Sequence, residues 1–143
     1  MLFRSWVDVG SVGTMTLSYL EQAWDAQPLG KLTRPGKFYD FTRYRPMLYR
    51  QGGQRQVTVP TTFLQYTQGP GDHDWLFLHA LEPHANGEDY VEGLTELLKH
   101  LGVTEYVMAG SMYAPVPHTR PIAASGGSSD EEIRRLLLSL GVR

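Results

Sequence analysis

The residues nearest to chemistry fall in three short stretches. His84 lies two residues from Glu82, and His118 lies two residues from Arg120. An imidazole beside a carboxylate can serve as a general base, and an imidazole with a guanidinium can hold an anion or a carboxylate. Ser111 follows Gly110, but Met108-Ala-Gly-Ser-Met-Tyr113 lacks the Gly-x-Ser-x-Gly elbow that exposes a hydrolase nucleophile. The third stretch is Asp8-Val-Gly-Ser-Val-Gly13, where Gly10 and Gly13 would let backbone approach a ligand and a helix start would offer free N–H groups to an anion. Gly-x-x-Gly is neither the dinucleotide fingerprint nor a P-loop, whose lysine is missing. Each group has a plainer reading: Glu82, His84 and His118 brace loops, and the glycines allow close strand-helix packing.

Composition removes several alternatives. The chain of 143 residues has no cysteine, so disulfide scaffolds, thiolate metal sites and cysteine nucleophiles drop out together. His79, His84 and His118 show no His-Glu-x-x-His spacing, and neither a metal nor a cofactor is expected. A net charge of −2 predicts no general affinity for nucleic acid or an anionic membrane. No run approaches the ~20 apolar residues of a spanning helix, and the first residues lack a basic segment followed by an apolar one. The sequence reads as soluble and cytoplasmic. Its most aromatic and basic part, Phe38 to Pro46, reads as a cluster packed over a sheet or against a partner chain, with Phe38, Tyr39, Phe41 and Tyr44 as candidate protein contacts.

The elements that would position these groups follow from periodicity. Leu2 to Val7 reads as a strand, with a helix opening near Thr14 and ended by Pro28. Leu29 to Thr33 reads as a short strand, and Met47 to Arg50 with Gln54 to Val59 flank Gly52-Gly53 as a hairpin. Thr61 to Tyr66 suits a further strand. Asp74 to Leu81 carries a continuous apolar run suited to a doubly covered strand. Gly87 to Leu101 has a helical stripe, with Gly102 as a stop, and 105–109 is the next strand. Pro115, Pro117 and Pro121 stiffen the loop that follows, 121–125 reads as a strand, and Ser129 with Glu132 fits a capping box before a last helix.

The expected fold is α/β, a single domain over 1–143 with a mostly parallel central sheet and an inserted antiparallel hairpin. In open parallel sheets, polar loops gather beyond the strands' carboxyl ends. The expected pocket is therefore lined by Asp8, Gly10, Gly13, Glu82, His84, Ser111, His118 and Arg120.

Four motifs taken in order, Trp6-Val-Asp-Val-Gly-Ser-Val-Gly13, Phe38-Tyr-Asp-Phe41 with Arg45-Pro46, Glu82-Pro-His84 and Val116-Pro-His-Thr-Arg-Pro121, resemble the proteasome assembly chaperone 2 family. The resemblance implies a three-layer α/β/α fold like that of the nucleoside phosphorylases, self-association, and, as in characterised relatives, help with assembling proteasome rings. Relatives commonly continue past the helix at 130–140, so the chain resembles a shortened member or a fragment. Gly141-Val142-Arg143 departs from the hydrophobic-tyrosine ending of ring-docking factors. A sheet without its last elements exposes an edge or a face, which together with the aromatic segment leads to the expectation of a homo-oligomer. Two functions are carried forward. One is a protein-binding assembly or chaperone-like factor, with a proteasome-related or other protein partner and contacts through 38–59. The other is a small-molecule binder or enzyme for an anionic or nucleoside-like ligand at the strand-end loops.

Overall fold

The computed structural model describes residues 1–117 and 119–142, and of residues 5–8 the backbone. The described chain forms two compact units, 1–112 and 113–143.

In the first unit the elements are β1 (Leu2–Asp8), α1 (Val12–Ala23), β2 (Gln27–Lys31), β3 (Met47–Gln51), β4 (Gln54–Thr58), β5 (Phe63–Thr67), β6 (Trp75–His79), α2 (Gly87–His100) and β7 (Tyr106–Ser111). Five strands form one sheet in the order β2-β5-β6-β1-β7, and β3 and β4 form a separate hairpin. The sheet is mixed. β1 runs parallel to both β6 and β7, whereas β5 is antiparallel to both β6 and β2. β2, β6, β1 and β7 thus run in one direction, as expected of a mostly parallel sheet, and β5 runs against them. The connection from β5 to β6 accounts for that reversal, because parallel neighbours need a crossover of roughly a dozen residues or more. The stretch 80–105 contains α2 and meets that requirement; the loop 68–74 does not.

β6 is the strand around which the unit closes, with Leu76, Phe77 and Leu78 all buried. Its side chains alternate in direction. Leu76 and Leu78 join Leu2 and Leu64, against which Leu94 and Leu98 of α2 pack. Phe77 and Trp75 instead meet Trp24, just beyond α1, with ring centroids 6.0 and 4.8 Å away. His79, on the same side as Phe77, places Nε2 2.5 Å from the Glu21 carboxylate of α1 and stacks on Phe63 at 4.3 Å.

Helix ends follow the local sequence closely. At the end of α2, Gly102 takes φ +66°, its N–H reaches the Lys99 carbonyl, and the Val103 N–H reaches that of Leu98. This is a glycine-terminated cap, completed by packing of Val103 and Leu98 on the same core cluster. α1 ends at Ala23, before Pro28, with Asp25 in the left-handed position at φ +51°. Pro28 lies in edge strand β2, where its missing donor is tolerated. In the hairpin, Gly52 and Gly53 both have positive φ, as a two-residue turn matched to strand twist requires.

In the second unit, α3 spans Glu131–Ser139. Its cap is Asp130 rather than Ser129: the Asp130 carboxylate accepts from the N–H groups of Glu132 and Ile133 at 2.8 and 3.0 Å. Ser128 supports it by accepting the Asp130 N–H at 3.0 Å. Residues 121–125 form no strand, and Ile122 is exposed.

Two substitutions separate these assignments. Asp130→Ala should cost about 1 kcal/mol in urea denaturation, while Ser129→Ala should leave the midpoint unchanged. Phe77→Ala, in the fully buried centre of β6, should cost about 3–5 kcal/mol and lower Tm accordingly.

Candidate functional site

The loop after β6 and the segment before β3 build one polar cleft. The turn Pro35–Lys37 presents the next residue's carbonyl inward, so that the Phe38 oxygen accepts both the His84 N–H at 2.8 Å and the Ala85 N–H at 3.2 Å. Asn86 adds a third link by donating its side-chain amide to the Lys37 carbonyl at 2.8 Å. The cleft is about 660 Å³ in volume, and Asp40, Arg43, Glu82 and His84 supply its charged and titratable lining.

Within it, His84 is already engaged. Its Nδ1 accepts the backbone N–H of Asp40 at 3.1 Å, and its ring lies 4.7 Å from that of Tyr44. The bond sets the ring's orientation and uses Nδ1 as its acceptor. Glu82 lines the same cleft but makes no hydrogen bond or ion pair with His84 among the described residues. Asp40 accepts from both the hydroxyl and the N–H of Thr42, at 2.7 and 2.8 Å. Those bonds, with smaller help from His84 and Arg43, hold the Asp40 carboxyl below its ordinary range.

Beneath the cleft lies a hydroxyl triangle. Tyr39 bonds to Thr62 and donates to Tyr90 at 3.2 Å, and Thr62 and Tyr90 are 2.6 Å apart. All three residues are buried. Burial pushes the Tyr39 phenol far above its usual range, since a phenolate would lose its water. Phe38 joins the same cluster, 5.4 Å from Tyr90 and edge-on. The rings of Phe38 and Tyr39 are therefore core within this chain, and only Phe41 and Tyr44, both half-buried, retain surface for another contact.

The other predicted positions lie elsewhere. Gly10 takes φ +77° in the turn after β1, and Gly13 is buried at the start of α1. The Ser111 hydroxyl donates to the Val9 carbonyl, which ties the end of β7 to that turn. Asp8 pairs in backbone register with Ser111, and its side chain lies outside the described residues. None of Gly10, Gly13 or Ser111 lines the cleft at His84. Arg120 belongs to the second unit, where its N–H bonds to the Pro117 carbonyl at 3.1 Å, and His118 lies outside the described residues. Thr62 and Tyr90 are not among the expected site residues: Tyr90 reads as part of the apolar stripe of the helix over 87–101 and Thr62 as part of the strand over 61–66, and both reach the cleft only through Tyr39.

No group of three metal-ligating side chains converges among the described residues. No helix among them is long and apolar enough to cross a membrane. A second cleft, about 450 Å³ and mostly apolar, lies between β2, β5 and α2, with Leu29, Leu64 and Leu94 in its lining.

These features define an α/β protein whose strand-end loops are cross-braced by their own polar groups and whose hairpin stands apart from the sheet. The chain belongs to the PAC2 family, whose model matches residues 2–141. It is similar to the crystal structure of a PAC2 family protein from Streptomyces avermitilis, with a TM-score of 0.82 and 28% identity over 95% of this chain. It is also similar to a proteasome-assembly chaperone homologue from Mycobacterium tuberculosis, with a TM-score of 0.81 and 23% identity over 95% of this chain. A Corynebacterium glutamicum protein of unknown function follows at a TM-score of 0.72 and 17% identity over 99% of this chain. The chain spans 60, 60 and 62% of the lengths of these three proteins. A search of curated proteins by sequence gives no match.

Removing one hydroxyl tests the triangle. Tyr39→Phe leaves Thr62 and Tyr90 bonded to each other and should cost about 1 kcal/mol. The raised phenol also sets a sign with pH: the unfolded chain loses this proton near about pH 10 while the folded chain keeps it, so stability falls as pH rises beyond that point. Chemical denaturation between neutral and alkaline pH should show a smaller alkaline loss in Tyr39→Phe than in the wild type.

Proposed function

We propose that this protein works through protein contacts, as an assembly or chaperone-like factor, with the hairpin of β3 and β4 as its principal contact surface. The observation that carries this reading is the hairpin itself. Both strands are exposed along their whole length, and Met47, Leu48, Tyr49 and Val57 present apolar surface. A lone two-stranded hairpin is marginal in water, and clustered apolar surface of this kind marks an interaction site. Family membership and the name of the Mycobacterium tuberculosis neighbour support a chaperone-like role. A proteasome-related protein is the partner class we would test first, in a cytoplasmic setting. We read the first unit as a three-layer, nucleoside-phosphorylase-like arrangement, a reading supported by the alternating packing of β6 toward α1 and α2.

The second reading, a site for an anionic or nucleoside-like small molecule, is favoured by the polar cleft. Asp40, Arg43, Glu82 and His84 converge there in a volume suited to a small ligand. The bonds that fix His84 and Asp40 serve bracing equally well, and this ranks the contact reading first.

Affinity purification from the native host followed by mass spectrometry separates the two. Leu48→Asp with Tyr49→Asp should abolish co-purifying partners while leaving Tm unchanged, and His84→Ala should retain them. Partners that persist in the hairpin variant, together with a ligand-induced rise in Tm that His84→Ala removes, would replace the contact reading with the small-molecule one.

A further inference from the structure

Between Asp40 and Asp72 the chain carries four arginines, Arg43, Arg45, Arg50 and Arg55, and no acidic residue. The net charge of −2 leaves −6 for the rest of the chain once those four charges are set apart. Register forces two of them together, for Arg50 lies directly opposite Arg55 in the hairpin. Like charges in that relation destabilise a strand pair. The described ion pairs lie elsewhere, at Lys37–Asp89, His79–Glu21 and Glu131 with Arg134 and Arg135. Among the described residues, then, neither hairpin arginine has a carboxylate partner. Leu48 and Val57 oppose each other two positions along, on the same face, and are 65 and 62% exposed. That face is an apolar pair beside two uncompensated guanidinium groups.

A surface of matching chemistry lies on the same chain. On α2, Glu88, Glu92 and Glu96 follow one another at intervals of four, all exposed and none ion-paired among the described residues. Like charges at that spacing repel along a helix. Val91, 60% exposed, lies beside the row. Successive glutamates are separated by about 6 Å along the helix axis, close to the roughly 5 Å between directly opposed residues of a strand pair. Two arginines can therefore meet two carboxylates at once while Leu48 and Val57 cover Val91.

We propose that the Leu48–Val57, Arg50–Arg55 face of one copy docks on the Glu88–Glu92–Glu96 row of a second copy. The inference rests on the protein-contact reading and names its first occupant. Association relieves two repulsions at once, each mildly destabilising in the isolated chain. Since hairpin and helix row are different surfaces, the contact either is made reciprocally in a two-fold dimer or runs head to tail around a ring. The apolar pair at the centre of the face argues for a polypeptide rather than a phosphate backbone as occupant.

Charge reversal tests the contact, read as molar mass by light scattering on a sizing column. The wild type should run as two or more copies at low salt and shift toward one copy in about 1 M salt, where the screening length falls to about 3 Å. Arg50→Glu with Arg55→Glu should run as one copy, and so should Glu88→Lys with Glu92→Lys. An equimolar mixture of the two variants should regain the larger mass. A wild type that is monomeric at every concentration, a variant that keeps the wild-type mass, or a mixture that stays monomeric overturns the proposal. Circular dichroism verifies that each variant is folded; if reversal unfolds the hairpin, Arg50→Gln with Arg55→Gln is read by the same criteria. Foreign partners captured by a chain that remains monomeric would leave the contact reading standing and remove the second copy. Self-association with no foreign partner would do the reverse. An oligonucleotide bound by the wild type and lost on reversal, in a monomeric chain, would reassign the face to nucleic acid.

Discussion

The alternation of side chains along β6 is the constraint on which the first unit depends. Four consecutive residues, Leu76, Phe77, Leu78 and His79, send packing in two directions: the leucines toward α2, Phe77 and His79 toward α1 and the turn that follows it. A shift of register by one residue would exchange these sets and place His79 among leucines. Because β6 lies between β5 and β1, its position also fixes β1, whose end feeds the turn at Gly10, while the loop at Glu82 follows β6 itself. The loops inherit their places from that strand.

Polar groups at those loops are consumed in holding them. The Phe38 carbonyl, His84 Nδ1, the Asp40 carboxylate and the Tyr39 hydroxyl each have bonds inside the unit. The hairpin is the opposite case. It contributes no strand to the five-stranded sheet, exposes its apolar residues, and sets two arginines against each other. A protein that works by touching others needs such a division, with a braced body and a surface left incomplete. In binding terms, the hairpin's side chains gain more from leaving water than those of the cleft, whose partners are already in place.

Much of this was legible in the sequence where the signal is local. The helix over Gly87–His100 follows from its apolar spacing and Gly102, and the hairpin follows from Gly52-Gly53. Signals that depend on distant partners were not legible. Phe38 and Tyr39 read as contact residues because an aromatic run does not reveal which way its rings face, and Tyr90, which covers them, lies 51 residues beyond Tyr39. The stretch 121–125 has strand-like residues, but strands exist only with a neighbour to bond, and periodicity supplies none. At the cap of α3, Ser129 and Asp130 are adjacent acceptors of nearly equal preference, and only backbone geometry decides between them. The mixed character of the sheet was within reach, because the short loop 68–74 already excludes a crossover. Of the candidate pocket, Glu82 and His84 share a cleft, whereas Gly10 and Ser111 gather at a separate turn.

The central claim is that the hairpin is completed by contact outside its own chain. Amide hydrogen exchange across Tyr49–Val57, followed as the protein is diluted, tests it most directly. The account predicts protection that rises with protein concentration in these amides while those of β6 stay constant. Protection in the hairpin that is equally strong at every dilution would contradict it, because the hairpin would then be stable on its own.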